Sequence, residues 1–262
     1  SPIRGNPRWT LSGKIPEMKA DDVILPKEMK RAGYKTAMFG KWGLNDNLAS
    51  NLGNPLKQGW DEFVGFNTHV EAHYHWPDYI WDGDTKLDLS KGKAKGNWQN
   101  KYKYADDIFT ERALDYIDRQ ADKGPFFMYL TYTIPHKGYT VPAASSQQYE
   151  SQGWPKVKGK PGHYEYDPEV NSAFAGMVSH MDAGIGQVRA KLKEKGIDKN
   201  TLVFFTSDNG HEYFGDFFNS AGEFSGKKRS VTEGGIRMPT VVVWPGKVQA
   251  ASKISTPLAF WD

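Results

Sequence analysis

Helices alternating with short, continuously apolar strands predict an α/β fold with a mostly parallel central sheet. Two observations carry that expectation. Tyr104–Lys123 and Val170–Lys195 place apolar residues at three-four spacing, the mark of a helix with one buried face. Phe126–Thr133, Thr201–Thr206 and Thr240–Trp244 are short apolar runs without alternation, as strands covered on both sides are.

In chain order, residues 22–33 read as a short helix with Leu25, Met29 and Ala32 on one face and Gly33 as its stop. Lys35–Phe39 is a strand running into Gly40-Lys41-Trp42-Gly43. Residues 45–100 shift to Gly, Asn, Asp, His and Trp and read as a long loop excursion, ordered by the aromatics between Phe63 and Trp81. In the 104–123 helix, Ile108, Phe109, Ala113, Leu114 and Ile117 form the buried side, and Gly124-Pro125 ends it. Residues 135–166 form a second loop region, and 207–238 a third. Neither an internal repeat nor a domain boundary is visible.

Composition narrows the function classes. A net charge of +3 over 262 residues is too small to imply a nucleic-acid partner. The apolar runs are strand-sized, far from the roughly 18 residues of a membrane span. Aromatic residues at 14% argue against disorder. The absence of cysteine removes disulfides, thiolate zinc sites and a cysteine nucleophile within these residues. Both ends are abrupt, Ser1-Pro2-Ile3-Arg4 and Leu258-Ala259-Phe260-Trp261-Asp262, and read as cuts from a longer chain.

Chemistry-bearing residues cluster where strands end, which is where open α/β sheets bind ligands. They are Gly40-Lys41-Trp42, Pro135-His136-Lys137, Ser207-Asp208-Asn209-Gly210-His211, and Gly226-Lys227 through Arg237. Oxygen donors in that set suit a hard divalent cation, and its cations suit an oxyanion. Taken singly, each also reads as structure: Asp208-Asn209-Gly210 as a turn, Lys41 as a snorkelling lysine, Glu233-Gly234-Gly235 as a flexible turn before the final strand. No phosphate-binding glycine loop and no Gly-x-Ser-x-Gly elbow is present. His73 and His75 could be a zinc pair but lack a third ligand at suitable spacing, and Tyr74–Trp81 could stack on sugar rings or form a loop core.

Together these segments resemble the sulfatase family of the alkaline-phosphatase-like superfamily. Gly40-Lys41-Trp42-Gly43-Leu44 is similar to its Gly-Lys-Trp-His-Leu, and Gly59-Trp60-Asp61-Glu62-Phe63-Val64-Gly65 to its Gly-Phe-Asp-x-Phe-x-Gly. Pro135-His136, Ser207-Asp208-Asn209-Gly210, and Gly226-Lys227 followed by Glu233-Gly234-Gly235-Ile236-Arg237-Met238-Pro239 match further family motifs, in family order. Ala72-His73 through Trp81 and Phe217–Ser220 are similar to bacterial arylsulfatase-A-like members.

The resemblance implies an α/β/α sandwich that hydrolyses sulfate esters of carbohydrates or aryl alcohols with Ca²⁺ and a formylglycine nucleophile. Asp208 and Asn209 would ligate Ca²⁺, and Lys227 would contact sulfate. Lys41 would steady the nucleophile and sulfate, and His136 would hold a sulfate oxygen or protonate the leaving alcohol. His73 and His211 are substrate-pocket candidates. Arg4 matches the arginine of the family's C/S-x-P-x-R motif, which puts the formylglycine precursor, Cys or Ser, one residue before Ser1. Gly43 stands where the family usually has histidine, and Gly138 where proline is common. On this alignment 1–262 is a catalytic domain lacking the amino-terminal strand with paired aspartates and the C-terminal subdomain, and the segment alone is expected to be inactive. Also implied are a formylglycine-generating maturation enzyme and a periplasmic or secreted bacterial setting. Rival readings are a phosphatase or phosphonate monoester hydrolase of the superfamily, and an inactive glycan-binding relative.

Overall fold

The computed structural model describes residues 18–45, 51–159, 162–212 and 217–260. The chain divides into two compact units, Ser1–Lys191 and Leu192–Asp262.

In the first unit, β1 (Lys35–Lys41) lies inside a five-stranded sheet. It pairs in parallel with β2 (Glu62–Phe66) on one side and β5 (Phe126–Thr131) on the other. The strands β3 (Tyr79–Asp82) and β4 (Thr85–Asp88) continue the sheet beyond β2 in antiparallel fashion. The α/β class is as expected, and the sheet is mixed: parallel around β1, antiparallel at the β4 edge. The reason lies in Gly83-Asp84, which closes a tight turn with Asp82 opposite Thr85, so β4 returns directly instead of crossing over.

Helix α3 (Ala105–Gln120) packs on this sheet through the face read from its spacing. Ile108, Phe109, Ala113 and Ile117 are buried, with Tyr116 added to them, while Leu114, expected on that face, is half-buried. Its aromatic contacts are edge-to-face, Phe109 on Phe66 at 5.7 Å and Tyr116 on Phe39 at 5.9 Å. A second cluster joins Met38, Trp60 and Phe63, with Trp60 stacked on Phe127 at 5.6 Å.

Helix α1 (Leu25–Arg31) is shorter than its sequence signal, and Leu25 is exposed while Pro26 is buried. At seven residues it is less than two full turns, too short for the three-four rule to select one face. In the first unit, two further α-helices fall within stretches read as loop. They are α2 (Gly96–Asn100) and α4 (Ala143–Glu150), whose Ala, Ser and Gln residues carry no apolar stripe. The first unit closes with most of α5 (Val170–Glu194), in which Val170, Ala173, Met177, Val188 and Leu192 are buried.

In the second unit, β6 (Val203–Phe205) and β7 (Val241–Val243) pair antiparallel as a separate two-stranded sheet. The short helix α6 (Glu233–Ile236) precedes β7.

Candidate active site

Because β1 and β5 are parallel neighbours, their carboxyl ends leave the same edge of the sheet. Gly40 is level with Thr131, so Lys41 and the chain leading to His136 start from adjacent points. The Thr131 hydroxyl donates to the Lys41 carbonyl oxygen at 3.0 Å, tying the two exits together. Gly43 follows in the left-handed region at φ +69°, where a Cβ would stand 3.4 Å from Lys41 Cε and 3.7 Å from His69 Cα. Gly43, one of the two glycines that depart from the resembled motifs, thus sits between the lysine stem and the His69 backbone.

His136 belongs to a cluster of four histidines. Its ring stacks on His73 at 5.3 Å with the planes 5° apart. His73 is buried, and both of its ring nitrogens are engaged, Nδ1 with His163 Nε2 at 2.9 Å and Nε2 with His69 Nε2 at 3.2 Å. Tyr164 packs on His73 at 5.0 Å and carries the Lys137 ammonium over its ring at 4.5 Å. The His69–His73 turn is pinned by Glu71, whose carboxylate accepts from the Thr68 amide, the Tyr79 hydroxyl and the Trp81 indole. Beside the Glu71 charge, and mainly through burial, the Tyr79 phenol is pushed up to about 12.

Behind His136 lies a buried polar group. His75 reaches the His136 carbonyl oxygen and the Thr133 hydroxyl, and Asp106 of α3 accepts from the Thr133 amide at 2.8 Å. The ring nitrogens of His75 and of His73 are thus each engaged with other protein groups. Among the described residues no group of three or more His, Asp or Glu is placed to hold a metal. The aromatic stretch 74–81 acts mostly as loop core: Trp76 and Ile80 are buried, and Trp76 packs on Tyr104 at 4.9 Å.

The second unit collects the other expected residues on hydrogen-bonded neighbouring segments. The Gly210 amide donates to the Gly235 carbonyl, the Lys228 amide to the His211 carbonyl, and the Gly234 amide to the Ser225 carbonyl, each at 2.9 Å. A Cβ at Gly210 would meet the Gly234 carbonyl oxygen at 2.0 Å, so the contact between these segments requires glycine there. Asp208 is exposed, Asn209 and His211 are half-buried, and Lys227 is exposed. A carboxylate beside a carboxamide is the oxygen-donor chemistry Ca²⁺ takes, so these two residues fit that ion as part of a six-to-eight oxygen shell. Arg4 lies outside the described residues.

The sequence alone did not single out His69, His163, Tyr164, Thr133 or Asp106. His69 carried a signal, being four residues before His73; His163 is ninety residues from its partner and carried none.

Comparison with known proteins decides the family. The Sulfatase family profile matches residues 8–260. The chain belongs to the sulfatase family. It is 28% identical over 263 residues to N-acetylgalactosamine-6-sulfatase of Mus musculus, covering 95% of this chain and 44% of that protein. It is 29% identical over 258 residues to an arylsulfatase of Hemicentrotus pulcherrimus, covering 92% and 40% respectively. This sulfatase-family chain thus spans less than half the length of these curated relatives. The crystal structure of Ps i-CgsB in complex with k-i-k-neocarrahexaose superposes with a TM-score of 0.71 at 23% identity, over 94% of this chain and 52% of that one. The fold is that of the alkaline-phosphatase-like sulfatases. No helix among the described residues is long and apolar enough to cross a membrane.

Proposed function

We propose that this chain is catalytic-domain sequence of a sulfatase that hydrolyses sulfate esters of carbohydrates or aryl alcohols. The observation that carries the reading is the shared exit of Lys41 and His136 from parallel β1 and β5, with His136 stacked on His73. A lysine ammonium and an imidazole at one sheet edge suit a substrate with charged equatorial oxygens and a leaving alkoxide.

In this proposal Lys41 neutralises sulfate charge, while His136 holds a sulfate oxygen or protonates the departing alcohol. His73 orders the His136 ring and borders the substrate pocket. In the second unit Asp208 and Asn209 hold Ca²⁺, Lys227 contacts sulfate, and His211 lies toward the substrate. Arg4 orients the nucleophile. Ca²⁺ would supply charge neutralisation at the sulfate oxygens, and a formylglycine, installed by a maturation enzyme, would supply the nucleophile. A carbohydrate substrate is supported by the name of the N-acetylgalactosamine-6-sulfatase relative and by the oligosaccharide held in the Ps i-CgsB structure. The proposal includes a periplasmic or secreted setting in a bacterium.

The test is a substrate panel on the full-length protein: aryl sulfate, sulfated oligosaccharides, aryl phosphate diester and phosphonate ester. Sulfate release with little turnover of the phosphorus esters supports the reading. Faster phosphonate or phosphodiester cleavage, or tight sulfated-glycan binding without any turnover, overturns it.

A further inference from the structure

Three groups behind His136 form a chain whose hydrogen-bond directions depend on one proton. His75 Nε2 lies 3.3 Å from the His136 carbonyl oxygen, and His75 Nδ1 lies 3.2 Å from Thr133 Oγ1. Thr133 Oγ1 in turn lies 2.8 Å from Asp106 Oδ2, while Asp106 Oδ1 accepts from the Thr133 amide at 2.8 Å. His75, Thr133 and Asp106 are all buried, so water does not substitute for a missing partner.

A carbonyl oxygen only accepts, so bonding to His136 requires a proton on His75 Nε2. A neutral imidazole then has a lone pair on Nδ1, and the Thr133 hydroxyl must donate to it. That leaves a Thr133 lone pair facing Asp106 Oδ2, which bonds only if the carboxyl carries the proton. With Asp106 ionised the order reverses. The Thr133 hydroxyl turns to the carboxylate, His75 keeps its shorter bond, at 3.2 Å, by donating from Nδ1 to Thr133, and its bare Nε2 then opposes the His136 carbonyl. Moving from one state to the other passes the Asp106 proton to Thr133 Oγ1 and the Thr133 proton to His75 Nδ1, and the proton lost is the one on His75 Nε2; every heavy atom stays in place.

We propose that Asp106, Thr133 and His75 act as a one-proton relay that positions His136, holding its carbonyl when Asp106 is protonated and releasing it when Asp106 ionises. His75 and Asp106 are positioning residues, since they reach His136 only through its backbone. The bearing on catalysis rests on the sulfate-contact role proposed for His136.

The surroundings favour a neutral His75. The Lys101 ammonium disfavours a second positive charge there, and the Tyr104 ring packs on it at 6.1 Å. Asp106 faces His180, which is paired with Asp107 at 2.7 Å, and the Tyr132 hydroxyl, which is bonded to Thr110. Burial pushes the Asp106 carboxyl up to about 6, against the bonds from Thr133, and pushes the His75 imidazole down to about 4. The shared proton therefore rests on the carboxyl end.

The experiment is a pH titration of the whole protein, labelled with ¹⁵N in histidine, across roughly pH 5 to 8, following the two His75 ring nitrogens. In the parent the protonated and unprotonated resonances should exchange places as pH rises, from the Nε2–H to the Nδ1–H tautomer. Asp106→Asn presents a permanent N–H donor to Thr133 and should hold the Nε2–H form throughout. If that variant does not fold, Thr133→Val serves instead: it cuts the chain, and the His75 tautomer should no longer change with pH. A parent with one constant tautomer, a His75 imidazolium, or a variant that switches as the parent does would overturn the relay. Because this readout needs no substrate, the relay and the sulfatase reading fail independently. Where sulfatase activity is present, Asp106→Asn should also remove one ionisation from the pH profile of kcat while leaving KM unchanged.

Discussion

Replacing Asp106 by Asn should expose a pH dependence of stability that the parent protein hides. Asp106 ordinarily titrates at 3.8 and in the folded chain at about 6. Between those values the native state holds a proton that the unfolded state has lost, so stability falls as pH rises from about 4 to about 6. His75 moves the other way, from 6.5 to about 4. Between those values the unfolded state holds the extra proton, so stability falls as pH drops. Each ionisation amounts to about 3 kcal/mol over its window, at about 1.4 kcal/mol per pH step. The windows overlap and the signs oppose, so their sum in the parent is nearly flat between about pH 4 and 6.5. Asp106→Asn deletes the first ionisation, and the variant should lose about 3 kcal/mol on acidification from about pH 6.5 to 4. His75→Gln deletes the second, and that variant should lose about 3 kcal/mol as pH rises from about 4 to 6. Urea unfolding midpoints at intervals across the range measure both slopes. Variants as flat as the parent, or slopes of the same sign in both, would refute the assignment.

Three further outcomes follow from the same geometry. Trp60→Ala empties the cluster with Met38, Phe63 and Phe127 and should cost about 3–5 kcal/mol in urea unfolding. Glu71→Gln places an amide N–H₂ among three donors; it should destabilise by about 1–3 kcal/mol and raise KM for aryl sulfate more than it lowers kcat, measured by initial rates. Asp208→Ala should reduce Ca²⁺ affinity in calorimetry and sulfatase activity in parallel, with the far-ultraviolet circular dichroism unchanged; full Ca²⁺ affinity would count against its role as a ligand.

The parts legible in the sequence were those written in local periodicity. Helices α3 and α5 and strand β1 declared themselves because their buried residues recur at fixed intervals or in unbroken runs, as burial against a sheet demands. The β3–β4 hairpin did not, because β4 is exposed along its length and shows no apolar alternation. Its only local sign was the two-residue turn at Gly83-Asp84. Likewise α4 has one buried residue, Ser146, and so no stripe to read.

The site divides in the same way. The sequence by itself determined the family, through motifs placed in order along the chain, and it picked out Lys41, His136, Asp208, Asn209 and Lys227. Only the tertiary structure decided what stands around them within each unit. Parallel pairing brings the ends of β1 and β5 to one edge, although ninety residues separate Lys41 from Thr131. The same folding carries His163 onto His73, and it buries His75 and Asp106 on either side of Thr133. Spacing along a chain encodes which face of a helix or strand is apolar, because that is a local property. It does not encode which distant side chains share a proton, because that depends on burial and distances set only when the sheet and α3 pack together.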